Sequence, residues 1–572
     1  MIKSNIIVKT LRNISKVMPE KFKKRTFIVS MLLLVQSVLE LFGLASLIPL
    51  FTIVFKENVI HENVILSWFY NTVGFTSENQ FIITFTGLVI SLIIAKNVIS
   101  LFILKYQATY SYDLMEYFML RLHKMYYAKG FLFFKQTNSN VLLRDIFTIP
   151  QRFATGIIFG MQTLLNELIV MSIIVIGIAW YNFTAFLLLA VTVVPVFILF
   201  YTLTKHKIKS IGDEINGVTP VLTANIFQSL FGYVDVIITG TYYYFNHRLN
   251  ENMTAFKKPS INKIVLNFAP TKVIESAMVF AIFVIIVYGV YFLPSRESLL
   301  ALLGVFALSG YRIMPSINRI MQALNGLIEF QYTFDVVGQL NEFVEPVEVE
   351  QKQPLVFEKE ISVKNLTFHY PNTDNNVLTE YNLTIKKGET IGIMGRSGGG
   401  KTTLMNILLG FLPPTSGSIY VDNTVLTSEN ITAWQKKVGY VQQEVYLLDA
   451  SLAENIAFGL HKEEIDYNKL NEVVALASLQ ELVERMPDGL NTMVGERGAQ
   501  LSGGQRQRVG IARALYFDSE VLFFDEATSA LDTQTEKEIT ESISNLSGKG
   551  LTMIIIAHRE SSLTGADRII RL

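Results

Sequence analysis

Hydrophobic residues are not spread evenly along the chain. They gather into runs at about 27–55, 81–104, 156–180, 183–203, 273–293 and 298–320, each long enough to cross a bilayer as a helix. Between them, 105–155 and 204–272 are mixed in charge and helical in pattern, so the membrane helices are expected to continue beyond the lipid. Unstructured connections of that length are uncommon. The tips of these extensions, near Phe133–Asn140 and Phe231–Asp235, are the expected contact points for a cytoplasmic domain. Pro49, Pro195, Pro270 and Pro315 fall in or at the ends of spans, where neighbouring helices can satisfy a freed carbonyl. The uncharged stretch Val64–Phe75 reads either as a short helix on the membrane surface or as a packed loop.

After the sixth run the pattern changes. Glu342–Glu360 is polar and acidic with Pro346 and Pro354, so 1–340 is expected to be a membrane domain, 341–360 a linker and 361–572 a second domain. In that second domain Ile361–Phe368, Thr390–Met394, Val438–Gln442, Val521–Phe524 and Met553–Ala557 read as strands alternating with helices, which predicts a buried, mostly parallel sheet. The fold class expected is therefore a membrane α-helical bundle of six transmembrane helices with long cytoplasmic extensions, followed by an α/β P-loop nucleotide-binding domain.

Composition supports the division. Half of the 572 residues are hydrophobic and 17% are charged, too apolar for an ordinary soluble protein. Met1–Thr26 carries eight basic residues and one acid, whereas Lys56 is the only lysine or arginine of the first outer loop, 56–80. That asymmetry places both termini in the cytoplasm. Lysine plus arginine equals aspartate plus glutamate at 49 each, so there is no electrostatic footprint for nucleic acid. With no cysteine, disulfides, thiolate metal sites and cysteine nucleophiles are excluded.

The chemistry lies in the second domain. Gly395-Arg396-Ser397-Gly398-Gly399-Gly400-Lys401-Thr402 fits G-x-x-x-x-G-K-[ST] directly after the strand Thr390–Met394. A glycine-rich turn between strand and helix points backbone N–H groups at phosphates, and a lysine reaches the outer ones. Thr402 offers a hydroxyl to magnesium, and Thr403 extends the nucleotide site. Val521–Phe524 runs into Asp525 and Glu526, placing one carboxylate to hold the metal and one to polarise the attacking water. Ser502, Gly503, Gly504 and Gln505 open a helix and form a second anion site.

LSGGQ at 501–505, with the phosphate loop and the Asp-Glu strand end, resembles the ATP-binding-cassette ATPases. The resemblance implies ATP and Mg2+ as cofactors. It gives Tyr370 the role of stacking on adenine, Gln443 that of sensing magnesium, Asp532 a place in the loop crossing between two cassettes, and His558 contact with the γ-phosphate. Gly495-Glu496-Arg497-Gly498 is similar to a motif of exporter cassettes, so the whole chain resembles an exporter-type half-transporter that pairs with a second copy of itself or a close relative. Two departures stand out: the family usually has proline where Gln442 stands, and Arg571-Leu572 falls short of its usual last strand and helix.

The spans also hold charges. Lys96, Lys272, Arg312 and Arg319 are the candidate substrate contacts, and each central cation costs roughly 2.5–3.5 kcal/mol to insert. Arg312 and Arg319, two turns apart, share a helix face and suggest a cavity for an anion. The string Tyr311–Arg319, with Glu40, is similar to bacterial flippases of lipid-linked oligosaccharides in N-glycosylation pathways, which implies a polyprenyl-pyrophosphate-linked oligosaccharide moved across the inner membrane. Multidrug or lipid A-type export stays open beside it, and a nucleotide-gated channel or regulator is the remaining alternative.

Overall fold

The computed structural model describes residues 6–345 and 355–572, except 47–52, 54–58, 63, 182, 294–295, 372, 374, 397 and 528–531. Pro49, Lys56, Pro346, Pro354, Ser397 and Ser529–Leu531 lie outside the described residues. The chain divides into two units, one of residues 1–129 and 136–345, the other of 130–135 and 346–572.

The first unit is helical. Its long helices are α1 (Glu20–Ala45), α2 (Glu78–Ala128), α3 (Phe159–Tyr181), α4 (Phe183–Phe231), α5 (Tyr242–Phe292) and α6 (Arg296–Glu329). At 51 residues, α2 and α5 are each about 75 Å long, more than twice the hydrocarbon thickness, so the extensions expected for 105–155 and 204–272 are helical. Ser77 starts α2 as an N-cap, its hydroxyl accepting from the Gln80 amide at 3.3 Å. Pro195, Pro270 and Pro315 lie within α4, α5 and α6 without ending them.

Among the described residues, five helical runs are long and apolar enough to cross a membrane: Glu20–Gly43, Glu78–Ala128, Ser139–Trp180, Phe186–Phe231 and Tyr242–Phe292. The sixth stretch, 298–320, lies in α6, which is described only in part and is not among the five. Exposed Ile83, Ile90, Ile94 and Phe102 on α2 belong to a surface solvated by lipid. Interior contacts come from Val170, Ile174, Ala281, Ile285, Phe306 and Met321. Between α1 and α2, Val64–Val73 is a short helix, packed on one side through Phe69 and Tyr70 against the fully buried Phe81 and exposed on the other at Trp68.

The run entering α3 contains two π-helical turns, Arg144–Thr148 and Phe153–Ile158. At Gly156 the close approach of α6 explains the glycine, since an added Cβ would sit 2.0 Å from the Phe330 ring.

The second unit holds two sheets. β1 (Glu360–Phe368), β2 (Leu378–Lys386), β4 (Ser416–Val421) and β5 (Thr424–Val425) form an antiparallel sheet in the order β2-β1-β4-β5. β3 (Thr390–Met394), β6 (Val438–Val441), β7 (Val521–Asp525), β8 (Thr552–Ile556) and β9 (Arg568–Arg571) form a parallel sheet in the order β6-β7-β8-β3-β9. The placement of Ile361–Phe368 in the parallel sheet is thus corrected. Its polar Ser362, Lys364, Asn365 and Thr367 interrupt the apolar residues, the mark of an antiparallel strand with one face outside the core. The three central parallel strands, β7, β8 and β3, are by contrast apolar on both faces. The fully buried Trp434 donates its indole N–H to the Leu408 carbonyl at 2.7 Å.

Candidate functional site

The strand order brings the predicted chemistry to one edge. β6, β7, β8 and β3 are parallel neighbours, and Val441 pairs with Phe524, Asp525 with Ile556, and Ile393 with Ile556. Their carboxyl ends therefore sit side by side, and Gln443, Asp525–Glu526, His558 and the glycine loop each follow one of them. Ligands bind outside the carboxyl ends of parallel strands.

Gly398 and Gly400 adopt left-handed backbone at φ 81° and 92°, and Gly400 caps α7 (Lys401–Leu408). A Cβ at Gly395 would stand 2.6 Å from the Leu572 carbonyl oxygen. Lys401 is 5% exposed and donates to the carbonyls of Gly395 at 3.0 Å and Arg396 at 3.2 Å, so its ammonium lies inside the loop. Thr402 is exposed at the mouth, while Thr403 turns inward to meet the Tyr370 hydroxyl at 3.0 Å. Tyr370 is further held edge-on by Phe368 at 5.1 Å. A bare backbone cradle, a lysine inside it and a hydroxyl at its mouth fit a nucleotide triphosphate with magnesium. Thr402, Gln443 and Asp525 are the residues that would hold the metal, which neutralises phosphate charge when bound.

Asp525 accepts from the Tyr440 hydroxyl at 3.2 Å. Burial pushes its carboxyl above the ordinary carboxylate range, with the Tyr440 hydrogen bond acting against that. Glu526 has a left-handed backbone, φ 50°, unusual for a residue with a side chain. Its carboxylate sits between His558 Nε2, 2.5 Å from Oε1, and Gln443 Nε2, 3.4 Å from Oε2. The turn after β7 thus aims Glu526 across the sheet edge instead of along the strand.

Ser502 caps α8 (Gly503–Tyr516) in a reciprocal box with Gln505, at 3.3 Å and 2.8 Å. Gly504 is required by packing: an added Cβ would lie 2.3 Å from Thr535 Cγ2 of α9 (Thr533–Ser547). Asp532 caps α9, accepting from the Thr535 hydroxyl at 2.6 Å and the amides of Gln534 and Thr535 at 3.1 Å and 3.0 Å. The Thr535 hydroxyl is the main cause of its carboxyl lying below the ordinary range.

Two participants escaped the sequence reading. Gln507, buried on α8, donates to the carbonyls of Gln442 at 3.2 Å and Gln443 at 2.6 Å, tying the signature helix to the loop that carries Gln443. Tyr440, the other, supports Asp525. The signal for Tyr440 was a hydroxyl on an otherwise apolar strand; nothing in the spacing of Gln507 distinguishes it from its polar neighbours.

In the helical unit three of the four candidate substrate cations meet. Lys96 Nζ lies 3.2 Å from Glu40, Arg312 lies 3.6 Å from Glu40 and 3.9 Å from Glu167, and Arg319 lies 2.7 Å from Glu167. The expected shared face of Arg312 and Arg319 is therefore present, with Glu167 between them. Lys272 is elsewhere, 79% exposed and paired with Glu275 on its own helix at 3.0 Å. Arg319 and Glu167 open onto a cavity of about 720 Å³ among α1, α2, α3, α5 and α6.

Residues 378–529 match the family model described as ABC transporter. The heterocyst differentiation ATP-binding protein HepA of Nostoc sp. is 32% identical over 472 residues, 79% of this chain and 74% of that one. The ATP-dependent lipid A-core flippase of Ralstonia nicotianae is 27% identical over 465 residues, covering 79% and 76%. That of Alkalilimnicola ehrlichii reaches 43%, but over 212 residues, only 36% of its length. The solved structure of a bacterial Atm1-family ABC exporter with ATP bound superposes with a TM-score of 0.73 at 21% identity, covering 96% of this chain and 93% of that one, which bears on the fold alone. With the phosphate loop, Gln443, Asp525–Glu526 and His558 gathered at the carboxyl ends of one parallel sheet, and with a multi-pass helical unit preceding it in sequence, the chain belongs to the ATP-binding-cassette transporters, as an exporter-type half-transporter that couples ATP hydrolysis, with magnesium, to transport.

Proposed function

We propose that two copies of the chain form an exporter that moves an amphipathic lipid across the bacterial inner membrane, with both termini in the cytoplasm. The observation that carries this reading is the likeness to a lipid A-core flippase over 465 residues, which runs through the helical unit as well as the cassette. A dimer follows from the motif count. Each chain has one phosphate loop and one LSGGQ, and the family resemblance supports a nucleotide held between the loop of one copy and Ser502, Gly503 and Gly504 of the other. Tyr370 then takes the adenine, Lys401 the outer phosphates, Glu526 the attacking water and His558 the γ-phosphate.

For the cargo, the relatives favour a lipid A-type lipid over the polyprenyl-pyrophosphate oligosaccharide suggested by Tyr311–Arg319. Lys96, Arg312 and Arg319 face Glu40 and Glu167, three cations against two carboxylates, which suits an anionic head of either kind and does not choose between them. Reconstitution in proteoliposomes tests the proposal: ATP-dependent appearance of a labelled lipid head on the far leaflet is expected, together with ATPase stimulation by that lipid. Transport of cationic dyes with no lipid movement would turn the assignment to multidrug export.

A further inference from the structure

The buried stripe of α9 runs Glu536, Ile539, Ile543, Leu546, the spacing of one helix face. Three of these are the apolar residues such a stripe calls for. The first is a carboxylate, 8% exposed. A carboxylate shut away from water needs donors for its oxygens. Glu536 has one for each: Arg559 Nη1 donates to Oε2 at 2.8 Å, and the Ser562 hydroxyl donates to Oε1 at 2.7 Å. Its backbone belongs to the first turn of α9, the Glu536 amide donating to the carbonyl of the cap Asp532 at 2.9 Å.

Both donors lie in the segment that follows β8, and Arg559 is the residue directly after His558. That segment is buried at its two ends, Ala557 and Leu563. Leu563 is fixed against β3, where a Cβ added to Gly392 would stand 2.7 Å from Leu563 Cδ1. Between the ends, His558, Arg559, Glu560 and Ser561 are exposed, so apolar packing does not fix the middle of the segment. Glu560 reaches Arg571 at 3.5 Å, but both side chains are largely in solvent and such a pair holds little. The carboxylate of Glu536 is the buried anchor beside the imidazole.

Stability alone gives a weak reason for that anchor. The Arg559 side chain is 64% exposed, so solvent screens its pairing with Glu536 and its charge is hydrated whether or not the carboxylate is there. What the contact fixes is direction. Arg559 drawn inward to α9 on one side of the turn, and Ser562 held three residues on, set the course of the backbone from which His558 Nε2 reaches Glu526 Oε1 at 2.5 Å.

We propose that Glu536 is a positioning residue for ATP hydrolysis, which acts through Arg559 and Ser562 to aim His558 at Glu526 and at the γ-phosphate. The inference rests on the reading of His558 as a γ-phosphate contact and adds the group that holds it in place.

The test is a mutant cycle on the full chain in lipid nanodiscs, reading ATP turnover, KM for ATP and melting temperature for the wild type, Glu536→Ala, His558→Ala and the double variant. Glu536→Ala is expected to lower kcat about tenfold, a displacement of up to about 1 Å being worth as much as about 10²-fold, and to leave KM within about twofold because Lys401 and the glycine loop are untouched. In the His558→Ala background it is expected to cost nothing further, since a residue that works through the imidazole has no effect once the imidazole is gone. Glu536→Gln keeps an acceptor for Arg559 and is expected to retain most of the turnover. Ser562→Ala removes one of the two hydrogen bonds, is expected to lower kcat about threefold, and takes the place of Glu536→Ala in the cycle if that variant does not fold. Unchanged kcat in both, or the same fold-loss with and without His558, overturns the positioning role, as does a raised KM at unchanged kcat. If His558→Ala alone turns over at the wild-type rate, the reading of His558 falls and takes the inference with it.

Discussion

His558 Nε2 lies 2.5 Å from Glu526 Oε1, and the contact joins the ends of two adjacent parallel strands, β8 and β7. The imidazole holds one carboxylate oxygen while Gln443 approaches the other at 3.4 Å, so Glu526 is positioned from both sides. A carboxylate so held, on a left-handed backbone that costs of the order of 1–3 kcal/mol, is suited to orienting a water. Glu526→Gln keeps the shape and removes the base. It is expected to cut ATP turnover by about 10²-fold or more while nucleotide affinity is retained. Turnover by phosphate release and affinity by equilibrium titration check the pair; undiminished turnover would assign the water to another residue.

Asp525 gives a prediction with a sign. Burial raises its carboxyl in the folded state, so the fold favours the neutral form. Stability from this group is complete below the ordinary carboxylate pKa and is lost as pH rises through the raised value. Asp525→Asn never ionises, so without magnesium it is expected to melt above the wild type at pH 7, with the gap closing as pH falls toward the ordinary carboxylate range. Adding MgATP should reverse the order at pH 7, since ligand stabilisation needs the carboxylate. Thermal unfolding with and without MgATP, at both ends of that window, is the measurement.

Gly504 and Thr535 make a steric pair. Thr535 cannot turn its methyl away, because its hydroxyl is bonded to Asp532 at 2.6 Å, and a Cβ at position 504 would stand 2.3 Å from that methyl. Gly504→Ala is therefore expected to destabilise the cassette by about 1–3 kcal/mol, as overpacking does. Thr535→Ser removes the methyl and keeps the hydroxyl. The double variant should recover most of the loss in denaturant unfolding; no recovery would locate the strain elsewhere.

The sequence made the nucleotide site legible because its parts are strand ends followed by small or charged residues, a pattern that survives without coordinates. Thr390–Met394 and Val521–Phe524 are apolar on both faces and announce a buried parallel sheet. Leu378–Lys386 and Ser416–Val421 went unread because they alternate with polar residues on one face, and Arg568–Arg571 because an edge strand needs little burial. Gln507 was silent for another reason: its partners are backbone carbonyls 64 and 65 residues away, and sequence carries no mark of a carbonyl's direction. The charges in the spans were visible as charges. Their pairing was not, because Glu40 and Glu167 reach Arg312 and Arg319 only through the packing of three helices.

That pairing decides what the arginines do. Glu167 is 1% exposed and contacts Arg319 at 2.7 Å and Arg312 at 3.9 Å, while Glu40, 3.6 Å from Arg312, supplies the second negative charge. Removing one partner of a fully buried ion pair costs about 3–5 kcal/mol, and less here because Arg319 is 44% exposed and solvent screens it, whereas replacing both by apolar residues of similar size is often neutral. Glu167→Leu is thus expected to lower the melting temperature strongly, and Arg319→Met alone to do the same by leaving the carboxylate with only the longer contact to Arg312. The double variant should be more stable than either single one, a coupling of the size seen for contacting charges. Melting of the four proteins in lipid nanodiscs makes the cycle. If Arg319→Met melts like the wild type and yet loses stimulation by an anionic lipid such as phosphatidic acid, the guanidinium is held in reserve for cargo, and the anion-binding role first suggested by the spacing of Arg312 and Arg319 regains its place over the structural one.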